Sequence, residues 1–391
     1  MLPIYLDYNA TTPLDPAVVE AMLPFLSSTV DSPFGNFGNP SSSHAYGKAA
    51  HDAVERARRQ VADLIGADPD EIVFTGGGTE ASNQAIKGTF FATFGGVFGH
   101  LFHKEIHAVT TAVEHPATLQ PLAFVKRLGC AVSILGVDGY GRVDPGAVRG
   151  AVGRKTCLVT VMHSNNEVGT LQPIREIATL AHDRGALVHT DAAQSLGKVP
   201  VNVNELGVDL LTLAGHKLYA PKGVGVLYVR RGTKLEPFIH GAGHEGGRRA
   251  GTENVPYLVG LGKACELARE SLPGASAKLR GLRDRLWERL RGALGDRIVL
   301  NGHPQLRLPN TLNVNFVGHV GAELLAAVPE VAASTGSACH EGNVTLSPVL
   351  AAMGVSPELG RGAVRLSVGR FTTPEEVDQA ADALARAAAA R

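Results

Sequence analysis

Glu71-Ile-Val-Phe-Thr-Gly-Gly-Gly-Thr-Glu80 decides how the rest of the chain reads. Its apolar run is too short for a helix and β-branched enough for a strand. Gly76, Gly77 and Gly78 then turn the chain, and a helical pattern begins near Thr79. Just upstream, Ala50, Ala53, Val54, Ala57, Val61, Leu64 and Ile65 recur at three- and four-residue steps, which predicts an amphipathic helix over 43–67. Downstream the alternation repeats. Strands are predicted at 106–111, 131–135, 157–162, 186–190, 209–213 and 224–229, with helical stretches such as 116–128 and 173–184 between them. Short, almost wholly apolar strands alternating with helices predict an α/β fold with a mostly parallel sheet covered on both faces. The last two strands are too close for a helical crossover, so one antiparallel strand is expected there.

Beyond Gly260 the pattern changes. Residues 264–294 form one long Arg- and Leu-rich helical stretch, and an alanine-rich helix runs to the end. The expected division is a large domain over 16–260 and a smaller α+β domain made of 1–15 and 261–391. Composition excludes several function classes. The 391 residues carry 37 Lys+Arg against 37 Asp+Glu, so there is no electrostatic case for binding nucleic acid or a membrane surface. No apolar run reaches the ~18 residues of a membrane span. The opening residues lack a secretory pattern, and the 4 cysteines include no C-x-x-C pair; both predict a cytoplasmic protein with free thiols. Glycine, at 46 residues, is over-represented.

In an open α/β sheet ligands bind beyond the carboxyl ends of the strands. The residues at those positions are therefore the candidates. Gly76 to Glu80 offers a glycine turn and a helix N-terminus, which suit a phosphate. No Gly-Lys-Ser/Thr follows, so this is not a Walker loop. Next come Glu114-His115-Pro116, Asn165-Asn166-Glu167, Asp191-Ala-Ala-Gln194 and Gly215-His216-Lys217. Any one of these could be a cap or a turn. Together they place an aromatic base, amides, a carboxylate and a lysine on one rim with a phosphate cradle. Pyridoxal phosphate needs that set: a lysine for its Schiff base, a carboxylate opposite the ring nitrogen and a phosphate site. Lys217 is the natural lysine, since it follows the apolar Leu210-Leu-Thr-Leu-Ala214. No G-x-G-x-x-G stands near the first strand, which argues against a dehydrogenase.

Of the cysteines, Cys130, Cys157 and Cys265 sit in apolar patterns and read as packing residues. Cys339 stands in Ser334-Thr-Gly-Ser-Ala-Cys339-His340-Glu341-Gly342-Asn343. That setting reads as a mobile loop before a helix starting near Ser347, and predicts an accessible nucleophile or an incidental thiol. Arg365 could clamp a carboxylate through both of its nitrogens or lie on a strand surface. His100, His103 and His107 cluster, as do His240 and His244, but neither group has the cysteine or carboxylate that would complete a tetrahedral set, so no metal is expected.

The chain resembles the cysteine desulfurases and selenocysteine lyases of the class V aminotransferase fold over nearly its whole length. The resemblance rests on Tyr5-Leu-Asp-Tyr-Asn-Ala-Thr-Thr-Pro13, Gly38-Asn-Pro-Ser-Ser42, Phe74-Thr-Gly-Gly-Gly-Thr-Glu80 and Val113-Glu-His-Pro116. Asn165-Asn-Glu-Val-Gly169, His189-Thr-Asp-Ala-Ala-Gln194, Gly215-His-Lys217, Arg249-Ala-Gly-Thr-Glu-Asn254 and Gly336-Ser-Ala-Cys339 extend it. It implies the fold of type I pyridoxal-phosphate transferases, with a mixed seven-stranded sheet. It also implies roles: Lys217 as Schiff-base residue and base, Asp191 on the ring nitrogen, Gln194 on the ring hydroxyl, and His115 stacked on the ring and moving protons. Gly78, Thr79 and His216 would hold the phosphate, and Thr252 would reach the phosphate of a neighbouring subunit in a homodimer. Asn166 and Arg365 would bind the substrate carboxylate. Cys339 would take sulfur from L-cysteine as a persulfide, leaving L-alanine, for transfer to an acceptor protein.

Three departures bear on the substrate. Ala214 replaces a serine common in the family, and Gly243-His244-Glu245-Gly246-Gly247 differs from its usual glycine-rich segment. Ala338-Cys339-His340 followed by Ser347-Pro-Val-Leu350 is closer to selenocysteine lyases. L-Selenocysteine is therefore the alternative substrate, and a transaminase or C–S lyase on the same fold is a third reading. A fourth is a sulfur-delivering scaffold active only with its acceptor; the eight residues from Cys339 to Ser347 give it little reach.

Overall fold

The computed structural model describes residues 2–26, 36–94, 105–335, 337–340 and 343–390, with the backbone alone for 337–340 and 343–345. The strands, in chain order, are β1 (Ile4–Tyr5), β2 (Ile72–Thr75), β3 (Ile106–Thr111), β4 (Cys130–Leu135), β5 (Thr156–Thr160), β6 (Leu187–Asp191), β7 (Leu210–Ala214) and β8 (Gly225–Val229). They continue as β9 (Ile298–Asn301), β10 (Thr311–Phe316), β11 (Val331–Ala332), β12 (Ser334–Thr335), β13 (Ser337–His340), β14 (Asn343–Leu346) and β15 (Ala363–Ser367). The helices are α1 (Pro16–Leu26), α2 (Ala45–Ile65), α3 (Gly78–Phe94), α4 (Pro116–Arg127), α5 (Pro145–Ala151) and α6 (Ile174–His182). After them come α7 (Val203–Leu206), α8 (Val255–Leu294), α9 (Gly321–Ala326), α10 (Pro348–Ala352), α11 (Pro357–Gly360) and α12 (Pro374–Ala389).

The central sheet has seven strands in the order β2-β8-β7-β6-β5-β3-β4. Only β8 runs against the others, pairing antiparallel with both β7 and β2. This is the strand that the short spacing after β7 predicts. Both faces are covered, and β8 shows why its sequence is apolar throughout. Val226 and Tyr228 enter the core that α2 and the first half of α8 cover, while Leu227 and Val229 enter the core under α3 and α4. Successive strand side chains alternate between faces, so a strand buried on both sides needs an unbroken apolar run.

The long helix begins at Val255, earlier than the expected 264. Asn254 caps it, with its side chain accepting from the Tyr257 N–H, and Pro256 pre-sets the first turn. The expected boundary at Gly260 therefore lies inside α8. Its buried face serves the large core as far as Ala268 and the small core from Leu279 onward. That second core packs α8 and α12 on the four-stranded antiparallel sheet β12-β15-β10-β9. The N-terminal segment ties into the same unit: β1 pairs with β11, and Leu6 is buried in its core.

One buried ion pair fixes the edge of the large sheet. Arg58 of α2 donates to both carboxylate oxygens of Glu245, at 2.7 and 2.9 Å, and to the Ile72 carbonyl at 2.9 Å. Glu245 also accepts from the Phe74 N–H at 2.9 Å, and holds a left-handed backbone (φ 51°). Arg58 also donates to the half-buried Glu55 at 2.9 Å, so Glu245→Ala removes its two-pronged partner and the acceptor of the Phe74 N–H while Glu55 stays beside the charge. The change is expected to cost about 3 kcal/mol, read as a lower midpoint in urea unfolding.

Candidate active site

The carboxyl ends of five parallel strands, β3, β5, β6 and β7 side by side and β2 across the antiparallel β8, open on one cleft of about 320 Å³. Nine of the residues expected at the site line it: Gly78, Thr79, His115, Asn166, Asp191, Gln194, His216, Lys217 and Arg365; Ala214, the serine-replaced position, lines it too. Each arrives for a local reason. After β2, Gly77 takes a positive φ of 146° and lets the chain turn straight into α3, whose first N–H groups at Gly78 and Thr79 have no intrahelical acceptor. The turn packs tightly: a Cβ on Gly78 would come within 3.2 Å of the Ala214 Cβ.

His115 caps α4. Its Nδ1 accepts from the Ala117 N–H at 3.0 Å, which fixes the tautomer with the proton on Nε2. Burial lowers its pKa, with Asp191 opposing and Lys217 reinforcing the shift, so the ring is neutral at pH 7. Beneath it, the buried Glu114 carboxyl accepts from Thr111 Oγ1 at 2.6 Å and from the Met162 N–H at 3.0 Å, and burial pushes its pKa up to about 8. After β5 the two asparagines divide their work. Asn165 builds the turn, accepting from the Glu167 and Val168 N–H groups, while Asn166 faces the cleft.

Asp191 ends β6. Its Oδ1 accepts from the Ala193 N–H at 2.9 Å, and burial raises its pKa above the ordinary value. After β7 a single 3₁₀ turn, Gly215–Lys217, brings His216 and Lys217 into the cleft. The Lys217 amine donates to the carbonyls of Asn9 at 2.5 Å and Ala10 at 2.7 Å. Among the described residues no carboxylate lies within ion-pair distance of it. Burial, then the nearby Arg365 charge, pushes its pKa down to about 8 against the pull of Asp7 and Asp191. His216, also pushed down to about 4 chiefly by burial, is neutral.

Arg365 comes from β15 of the small sheet. It donates to Asp7 Oδ1 at 2.8 Å and to the Asn166 carbonyl at 3.0 Å. Its Nε is buried without a partner among the described residues. A guanidinium that lines the cleft and keeps donors beyond these two bonds suits a carboxylate.

Sequence reasoning assigned no role to Asp7 or Asn9, although both lie in the Tyr5 to Pro13 segment. Asn9 is 1% exposed and joins the two halves of the molecule. Its carbonyl accepts from Lys217 and from Gln194 Nε2 (2.9 Å), while its side chain bonds Asn310 and Thr311 at the start of β10. A buried asparagine in an N-terminal strand-end segment was the available signal.

Two expected residues stand apart. Thr252 is exposed, between the turn at 244–247 and α8, and does not line this cleft. Cys339 was expected in a mobile loop; its backbone instead lies in β13, opposite Val344 of β14. The alternating Ser-Ala-Cys-His and Asn-Val-Thr-Leu segments satisfy each other's backbone as a two-stranded ribbon. The Cys339 side chain lies outside the described residues. Ser347 follows, capping α10 and donating to Glu167 Oε2 at 2.5 Å. Cys130 and Cys265 are buried free thiols and Cys157 is half-buried. His100 and His103 lie outside the described residues, and His107 bonds Thr156 and Ser133. Among the described residues no three His, Cys, Asp or Glu side chains are grouped to hold a metal.

The chain matches the family model described as aminotransferase class-V over residues 4–380. It is 44% identical over 385 residues to a cysteine desulfurase IscS of Dictyoglomus turgidum, covering 98% of this chain and 94% of that protein. A solved NifS-like protein superposes with a TM-score of 0.88 at 35% identity, covering 98% of this chain and 99% of the other. A structure of SspA in complex with cysteine gives a TM-score of 0.79 at 35% identity, over 94% and 99%.

Proposed function

The chain belongs to the cysteine desulfurases of the class-V aminotransferase family, and from that premise we propose that it holds pyridoxal phosphate in this cleft and converts L-cysteine to L-alanine, passing the sulfur to Cys339. The observation that carries the reading is Lys217: a lysine amine with no counter-ion among the described residues, lowered to about 8, sharing one cleft with Asp191, His115 and the N-terminus of α3. The donor set fits the cofactor. Asp191 would face the ring nitrogen, Gln194 the ring oxygen, and Gly78, Thr79 and His216 the phosphate. When bound, the cofactor supplies an aldehyde that captures amines and an electron-withdrawing ring that eases loss of the substrate Cα proton.

The protein's own groups do the rest. Arg365 and Asn166 orient the substrate carboxylate. Lys217, close to half-ionised at mildly alkaline pH, takes the Cα proton and can return one. His115, neutral with its proton on Nε2, is placed to exchange a proton at the rim. The Cys339 thiolate attacks the substrate sulfur; the new S–S bond forms as the Cβ–S bond breaks, and the pair from that bond ends as a C–H in alanine. Cysteine plus thiol thus gives alanine plus persulfide, with no external oxidant.

Arg365→Met is expected to lower kcat/KM for cysteine about 100-fold, mainly through KM, because a charged clamp on the carboxylate is lost. Steady-state kinetics check it. The reading as a whole is tested by incubation with L-cysteine in the absence of any 2-oxo acid. Alanine formed in step with persulfide supports it; no alanine contradicts it.

Ala214 gives a specific reason to keep L-selenocysteine as a second substrate. It lines the cleft where the family commonly has a serine, and the sequence around Cys339 leans the same way. Comparing turnover on both amino acids decides between them. We further propose a homodimer, with the exposed Thr252 completing the partner's phosphate site, and a cytoplasmic enzyme that hands its sulfur to an acceptor protein.

A further inference from the structure

Lys198 is 5% exposed and stands seven residues beyond the end of β6. Its Nζ donates to the Gln194 carbonyl at 3.0 Å and to Gln194 Oε1 at 3.1 Å. Among the described residues no carboxylate pairs with it. Burial, with Lys217 and Arg365 adding repulsion, pushes its pKa down to about 7. A buried lysine without a counter-ion is a poor way to fill a core, since an apolar side chain of the same shape avoids the desolvation. Its surroundings point to a different use.

An ammonium has three donors and no acceptor, so the Gln194 atom facing Lys198 is the amide oxygen. The Asn9 carbonyl only accepts, so the Gln194 atom facing it, at 2.9 Å, is the amide nitrogen. These two contacts fix the amide without ambiguity. They also occupy Oε1 and one of the two hydrogens on Nε2. With Oε1 drawn to the Lys198 amine, the second N–H of Nε2 is the group Gln194 has free to donate to the cleft it lines. A donor suits a ring oxygen that has lost its proton better than one that keeps it.

We propose that Lys198 is a positioning residue: by holding Gln194 Oε1 it commits Gln194 to donate into the cleft, and so favours the ionised form of the cofactor's ring hydroxyl. This rests on the reading of the cleft as a pyridoxal phosphate site. The other charged groups facing Lys198 are Lys217, from the turn after β7, and Arg365, from β15; neither bonds Gln194.

The test uses the full-length protein stripped of cofactor, with pyridoxal phosphate as the probe and equilibrium dialysis and absorption spectra as readouts. Lys198→Met is expected to weaken binding about tenfold and to shift the bound spectrum toward the form protonated on the ring oxygen. Gln194→Leu is expected to do about the same. In the Gln194→Leu background, Lys198→Met should add less than about twofold, because the two act as one unit. Lys198→Gln keeps a donor toward Oε1 and is expected to recover most of the binding; it also serves if the methionine variant does not fold. A methionine variant that binds and absorbs like wild type overturns the proposal. So does a full second loss on top of Gln194→Leu, which would mean that Lys198 acts by another route. Wild-type protein that fails to bind the probe overturns instead the reading of the cleft.

Discussion

Replacing Lys217 with alanine is expected to lower the rate of alanine formation from L-cysteine by about 10⁴-fold or more, because one side chain supplies both the amine that captures the cofactor and the base for the Cα proton. The fold should be indifferent to the change. Among the described residues the Lys217 amine bonds two backbone carbonyls, those of Asn9 and Ala10, and no carboxylate pairs with its charge to be orphaned. Lys217→Arg separates charge from chemistry: arginine keeps the cation and cannot be deprotonated in this range, so it should be as inactive as alanine. The pH dependence has a definite sign. Capture of an aldehyde needs the neutral amine, and this pKa is depressed to about 8 by burial and by Arg365. The rate of cofactor capture should therefore rise with pH and level off above about 8. In Arg365→Met one lowering influence is gone, so the midpoint should move upward. Stopped-flow absorption of the stripped protein mixed with pyridoxal phosphate measures both.

Cys339→Ala is expected to abolish sulfur transfer, lowering turnover on L-cysteine about 10³-fold or more, as loss of the nucleophile in a covalent mechanism does. Cofactor binding and its spectrum should be unchanged, since none of the cleft residues described above is altered. With L-selenocysteine the loss should be much smaller, because selenium leaves more readily without a thiol to receive it. The other cysteines provide the internal control. Cys130 is buried with its thiol pushed up to about 11, and burial raises Cys265 further still; neither should carry an added sulfur atom after reaction, while Cys339 should.

Much of this was legible in the chain because strands buried on both faces are apolar over most of their length. That pattern exposed β3 and β5 to β8, and with them the strand ends where Asp191 and Lys217 stand. The turn after β2 was legible for a different reason: only glycine tolerates the backbone of Gly77. What could not be read were contacts between segments distant in sequence. Asn9 meets Lys217, Gln194, Asn310 and Thr311, and no local pattern encodes that meeting. The same holds for Arg58 and Glu245, a pair 187 residues apart in sequence. The start of α8 was misplaced because its first turns carry Gly260 and Gly262, poor helix formers that tertiary packing overrides. Met22 leaves no room for a side chain at the first, and Ala57 and Gln60 leave none at the second. The ribbon of β13 and β14 escaped notice because glycines and polar residues around Cys339 look like a loop, though their alternation also satisfies a hairpin.

The most direct measurement is chemical. Protein loaded with pyridoxal phosphate is reduced with borohydride, digested and mapped by mass spectrometry. A stable pyridoxyl adduct on Lys217, and on no other lysine, is the predicted result. Protein that takes up no label, or that carries it on Lys198 or a surface lysine while Lys217 stays unmodified, would contradict the account.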